Sequence, residues 1–213
     1  CHHFRMVAIE PCQVGRCARL LRGTDVHVGA AIGFPLGQTT IATKVFETRE
    51  ALENGADEID YVVNRSELKD GKWELVESEM SAIVGACREA RALSKVIFET
   101  RELTSEEIVR LCEIASRVRP NFVKTSTGFS PKGGATVRDV RLMCEHVTGG
   151  VQVKAAGGIR DADSFLAMVA AGARRIGSTA SIPIIEELRQ RMDARGIPAL
   201  ELEPGEGAAT DHT

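Results

Sequence analysis

Two lysines stand where apolar runs end. Lys124 closes NFVK and is followed at once by the hydroxyl and glycine run TSTG, and Lys154 closes the next such run, VQVK. Burial disfavours the charged form of an amine and a second ammonium nearby disfavours it further, so two lysines sharing one mouth can leave a neutral amine near pH 7. A neutral amine is what a Schiff-base nucleophile requires. The structural alternative is that each lysine snorkels to solvent or pairs with Asp60 or Glu99. Asp60 sits in the apolar run EIDYVV. A buried carboxylate there needs a cationic partner, and in a functional reading it moves protons for the amine and orients it.

Such residues need a scaffold that gathers strand ends. Short apolar runs at 6–9, 26–32, 58–63, 95–99, 122–124, 151–154 and 175–177 alternate with segments of helical period near 13–21, 39–54, 73–93, 105–117, 136–146, 161–171 and 183–194. Thr104 to Glu107 fits a capped helix start, and Gly55 and Gly172 fit helix stops. Strict alternation implies a parallel sheet with right-handed crossovers, and about seven units at this length predict a (β/α)₈ barrel, with a doubly wound open sheet as the competitor. The reading is one barrel domain over 1–195 and a Gly-, Pro- and Glu-rich tail over 196–213.

In a parallel barrel, the loops after the strands carry the chemistry. Gly157 and Gly158 in KAAGGIR, and Gly177, Ser178 and Thr179 in RIGSTAS, follow the last two apolar runs. That is where barrels cradle a phosphate on backbone N–H groups, with Arg160 adding charge. The loop GFPLG at 33–37 reads as a tight turn lining the mouth.

Composition narrows the classes. Among 213 residues, 43% are hydrophobic and the formal net charge is −3, which offers no basic field for nucleic acid. The six cysteines are scattered and the five histidines show no ligand spacing, so reduced thiols and no metal are expected. No apolar run of spanning length or signal peptide is visible, which predicts a cytoplasmic protein without membrane contact.

The motifs IGFPLG (32–37), GADEIDYVVN (55–64), KVIFET (95–100), FVKTSTGF (122–129), GGATVRDVRLM (133–143) and VKAAGGIR (153–160) resemble those of the deoxyribose-phosphate aldolase family, class I aldolases on a (β/α)₈ barrel. The resemblance implies Lys124 as the Schiff-base lysine, Lys154 as the neighbour that lowers its pKa and Asp60 as the proton relay. It implies substrate contacts at Thr127, Gly128, Gly157, Gly158, Arg160, Gly177, Ser178 and Thr179. The implied reaction is reversible cleavage of 2-deoxy-D-ribose 5-phosphate into D-glyceraldehyde 3-phosphate and acetaldehyde, with no cofactor. A transaldolase-like Schiff-base enzyme and a non-catalytic phosphate-binding barrel fragment are the competing readings.

The family pattern departs at Ala180, where a second serine is usual, and at KAAGG, where KASGG is commoner. The family's opening strand with D-H-T and its helix have no counterpart before Cys1, yet the chain ends Thr210-Asp211-His212-Thr213. Expected explanations are a permuted first strand at 210–213, a different chain layout, or chance. An uncovered barrel face predicts self-association as a dimer or tetramer.

Overall fold

The computed structural model describes residues 2–199; the suggested strand at 210–213 lies outside them. Seven parallel strands follow one another in chain order: β1 (Met6–Ile9), β2 (His27–Ile32), β3 (Glu58–Val62), β4 (Leu93–Ile97), β5 (Phe122–Lys124), β6 (Gln152–Ala156) and β7 (Arg175–Gly177). Between and after them run α1 (Val14–Leu20), α2 (Ile41–Glu53), α3 (Arg65–Lys69), α4 (Trp73–Glu89), α5 (Ser105–Val118), α6 (Val137–His146), α7 (Ala162–Ala170) and α8 (Ser181–Arg195). Every ladder joins consecutive strands in parallel, so this is the wall of a (β/α) barrel with seven of its units among the described residues. A doubly wound sheet would have reversed its strand order at a switch point.

The sheet curls around a shared interior. Arg175 on β7 reaches Glu58 on β3 at 3.1 Å, and Met6 on β1 brings its sulfur within 3.4 Å of Lys95 Nζ on β4. The outward side chains of the strands meet the helices in the apolar layer: Ile59, Tyr61, Val96, Val123 and Val153 pack with Met80, Ile83, Leu111 and Met143, all buried. Each such side chain contributes on the order of 1.5–3 kcal/mol through burial. The inward positions are different: charged residues and small ones stand there beside Met6, Val62, Ile97 and Phe122. Gly29 and Ala31 on β2 are level with Glu58 and Asp60, and the bare Gly29 makes room for Met6, whose sulfur would lie 2.4 Å from a Cβ there.

Local chemistry sets the element ends. Thr40, Thr104, Thr136 and Asp161 each accept a backbone N–H at a helix start, with full capping boxes at Thr104–Glu107 and Asp161–Ser164. Most element ends lie within a residue or two of the sequence reading; β6 runs past Lys154 to Ala156, so Lys154 lies inside its strand and not at its end, and three further differences stand out. The helix expected over 73–93 stops at Glu89, because Leu93 already pairs with Glu58 as the first residue of β4. The strand expected over 95–99 therefore ends at Ile97, and the chain then passes through Glu99 in a left-handed conformation. The short helix α3 was not expected; Asn64 caps it by accepting from the N–H groups of Ser66 and Glu67.

Candidate active site

Register brings the charges together. Asp60 on β3 is level with Lys95 on β4, and Lys124 on β5 is level with Lys154 on β6. Because inward positions recur every second residue, all four side chains point into the same interior layer. Lys124 Nζ donates to Asp60 Oδ2 at 2.9 Å and Lys154 Nζ donates to the same oxygen at 2.7 Å. Lys95 Nζ donates to the other oxygen, Oδ1, and also pairs with Glu58 Oε2 at 2.7 Å. Glu58 in turn holds His27 at 2.7 Å and Arg175 at 3.1 Å.

Three ammonium groups thus surround one buried carboxylate. Burial would raise the Asp60 carboxyl, but Lys124, Lys154 and Lys95 together outweigh it and hold it well below the usual range. Asp60 is thus held as an anion at neutral pH, a shared acceptor for the three amines. The Lys154 amine is pushed down to about 7, first by burial and then by repulsion from Lys124 and Lys95, against the attraction of Asp60. The residues alone leave open which of the two amines is depressed, and the family resemblance implies Lys124; for Lys154 the cause is its burial, with 2% of the residue exposed.

Neither lysine pairs with Glu99. That carboxylate is buried and accepts instead from Thr127, through its hydroxyl and through its backbone N–H at 3.3 Å to each oxygen. Thr127 therefore sits at the mouth, one turn of loop beyond Lys124. Gly128 follows it at positive φ and is exposed.

The glycine-bearing loops come together on one side of the mouth. A Cβ on Gly134 would lie 2.2 Å from the Gly157 carbonyl, and one on Gly157 would lie 3.3 Å from the Gly128 Cα. Only bare backbones can approach so closely. Ala135 N bonds the carbonyls of Ala156 and Gly157 at 3.1 Å each and locks the two loops together. Gly158 and Arg160 are exposed at this rim. A Cβ on Gly177 would meet Ala156 Cβ at 3.1 Å and Lys154 Cε at 3.4 Å, so this glycine lies close against β6 and the amine.

The Ser178 hydroxyl donates to the Ile159 carbonyl at 2.6 Å and accepts from Ala180 N at 2.9 Å, which fastens the loop between β7 and α8. Thr179 is exposed. Ala180 is the N-cap of α8 and supplies no side-chain acceptor, so the helix presents its first N–H groups without a cap.

Sequence reasoning missed Lys95 and Glu58 because it looked for polar residues at the C-terminal ends of strands, whereas Glu58 opens β3 and Lys95 lies in the middle of β4. A signal existed for both: charges two apart in EID, and a lysine opening the apolar run KVIF. The loop 33–37 packs as expected of a tight turn, with Gly37 N bonded to the Gly33 carbonyl at 2.8 Å. Its Gly37 has no room for a side chain, because a Cβ would meet the Val63 carbonyl at 2.2 Å. Among the described residues no group of three or more His, Cys, Asp or Glu side chains is placed to hold a metal ion, and no helix is long and apolar enough to cross a membrane.

The family model described as DeoC/LacD family aldolase matches residues 5–182. A deoxyribose-phosphate aldolase of Lactobacillus acidophilus is 51% identical over 201 residues, covering 94% of this chain and 84% of that protein. One of Bacteroides thetaiotaomicron is 49% identical over 189 residues, covering 89% and 79%. The tetrameric deoxyribose phosphate aldolase of Aeropyrum pernix, a solved structure, aligns with a TM-score of 0.80 at 30% identity, covering 88% of this chain and 79% of that one.

Proposed function

This chain belongs to the DeoC/LacD family of aldolases, and from that membership we propose that it cleaves 2-deoxy-D-ribose 5-phosphate reversibly into D-glyceraldehyde 3-phosphate and acetaldehyde through a Schiff base on Lys124. The observation that carries the reading is the convergence of Lys124 and Lys154 on one oxygen of the buried Asp60, with the Lys154 amine pushed down to about 7. At neutral pH such an amine is in part uncharged and can accept the proton of its neighbour through the oxygen they share. Lys154 thus frees Lys124 as a base, and proximity alone is enough for the exchange.

The freed Lys124 amine attacks the sugar aldehyde carbon; Lys154 returns the proton it took to the carbinolamine hydroxyl, and that hydroxyl leaves as water to give an iminium, with the Lys154 amine neutral again. The hydroxyl proton at C3 departs to Lys154, directly or through water, and the C2–C3 electron pair flows into the iminium nitrogen. Glyceraldehyde 3-phosphate leaves, and the enamine that remains is protonated at C2 and hydrolysed to acetaldehyde. Asp60 keeps the amines oriented, and Lys95 holds its second oxygen so that the first stays shared between Lys124 and Lys154. The scheme uses side chains alone.

The phosphate falls to the glycine loops. Gly128, Gly157 and Gly158 with Arg160 offer backbone and charge on one side; Gly177, Ser178, Thr179 and the open N terminus of α8 offer it on the other. Remote binding energy at the phosphate then positions the aldehyde. The tetrameric relative and the sheet edges left unpaired among the described residues support a homo-oligomer, and the family membership supports a cytoplasmic location.

Incubation with acetaldehyde and borohydride tests the assignment. We expect a two-carbon adduct on the tryptic peptide that contains Lys124. An adduct on Lys154 or Lys95 instead would move the nucleophile, and trapping only with dihydroxyacetone would favour a transaldolase-like enzyme.

A further inference from the structure

Glu99 has no part in the scheme above, yet its placement is specific. Its neighbours Phe98 and Thr100 bond through their N–H groups to the Lys124 and Thr125 carbonyls, each at 2.9 Å, so the backbone on both sides of Glu99 is tied to the strand that bears Lys124. Between those ties Glu99 takes φ +59 and ψ +59, the left-handed conformation that costs a non-glycine residue on the order of 1 kcal/mol or more. It is 1% exposed and makes no ion pair among the described residues. Among the described residues the buried carboxyl group is satisfied by Thr127, with its N–H and its hydroxyl.

The Thr127 hydroxyl donates to Glu99 Oε2, so its one proton is committed there. Phe129 N donates to the same hydroxyl oxygen at 3.0 Å and occupies one lone pair. One lone pair is left, and Thr127 is partly open to the mouth. Its remaining capacity is that of an acceptor.

We infer that Glu99 is a positioning residue that fixes Thr127 as a hydrogen-bond acceptor for a substrate hydroxyl, which makes the enzyme selective for acceptor aldehydes that carry a free hydroxyl beside the carbonyl. This rests on the proposed aldolase reading. Order along one loop places the contact: Lys124 holds the imine, Thr127 comes next, and Gly128 belongs to the glycine side where the phosphate would lie. A five-carbon sugar phosphate laid along that loop presents its middle hydroxyls to Thr127. Phosphate oxygens and carbonyls, which bring no proton, are excluded from this contact.

The test compares glycolaldehyde with propanal, which differ by a hydroxyl replacing a methyl group of similar size, as acceptors for acetaldehyde. We expect wild type to favour glycolaldehyde in kcat/KM, and Glu99→Gln, whose amide can donate to the Thr127 oxygen and take the last lone pair, to lose about tenfold or more of that preference. Thr127→Val should lose it as well, and Thr127→Ser, which keeps the hydroxyl, should retain it. A purely structural role for Glu99 would lower kcat/KM for both aldehydes alike and leave the ratio unchanged, which overturns the inference. A retained preference in Thr127→Val overturns it also. Borohydride trapping of acetaldehyde on each protein keeps the two readings apart: wild type that forms no adduct on Lys124 fails the aldolase mechanism, whereas normal trapping with an unchanged aldehyde ratio fails only the role of Glu99.

Discussion

At the residue, the chemistry turns on which amine holds the last proton. Lys124 and Lys154 both bond Asp60 Oδ2, and the more deeply buried Lys154 is the one whose amine titrates at about 7. Below that pH it is an ammonium and cannot take the proton of Lys124; above it, it can. The rate of imine formation should therefore rise with pH through an inflection near 7. In Lys154→Leu that inflection should vanish, and the rate at neutral pH should fall by about 10²-fold or more, the usual worth of a positioned general base. At pH 10 the loss should be smaller, because hydroxide then stands in for the missing base. Borohydride trapping measured from pH 5 to 10 decides the matter, and an inflection that survives in the variant would assign it to another group.

At the element, the same reasoning shows what a linear chain conceals. Lys124, Lys154 and Asp60 could be read from the sequence because each interrupts or closes an apolar run, which is a local signal. Lys95 depends on its register opposite Asp60, which is a property of two strands and of no single segment. Lys44 is a stronger case. It lies on α2 among polar residues, where a lysine reads as solvated, yet it is fully buried, donating to Glu79 on α4 at 2.6 Å and to the Val62 carbonyl at 2.7 Å. Glu79 accepts in turn from Asn64 N at 2.9 Å, so one ion pair ties two helices to the end of the strand that carries Asp60. Burial lowers the Lys44 amine and raises the Glu79 carboxyl, the pattern of a pair whose desolvation is only partly repaid. Removing Lys44 as Lys44→Met should cost about 3–5 kcal/mol at pH 8, where Glu79 is left charged and alone. A carboxyl raised in the folded state favours folding below its unfolded pKa and loses that advantage as pH rises, so the cost should shrink toward pH 4. Urea denaturation at the two pH values measures it, and adding Glu79→Leu should restore much of the loss. Equal costs at both pH values would mean that packing, and not charge, holds these elements.

For the whole molecule, stability should fall away from the centre of the sheet toward its edges. All five residues of β3 are buried, whereas β1 and β7 contain no buried residue. No ladder joins β7 to β1 among the described residues, so each edge strand is hydrogen-bonded on one side only. The short apolar runs along the chain indicated how many strands to expect, but not this gradient, because exposure of a strand depends on what lies beside it. Amides of β3 and β4 should exchange with deuterium only through global opening, and those of β1 and β7 about 10²-fold faster or more through local opening. Hydrogen exchange at high dilution gives the intrinsic profile of one chain. If the proposed homo-oligomer covers the edges, protection of β1 and β7 should climb with protein concentration while that of β3 changes little. Edge strands that are as protected as β3 at every concentration would mean that the edges are closed within one chain, and the oligomer would then have to form through the helices.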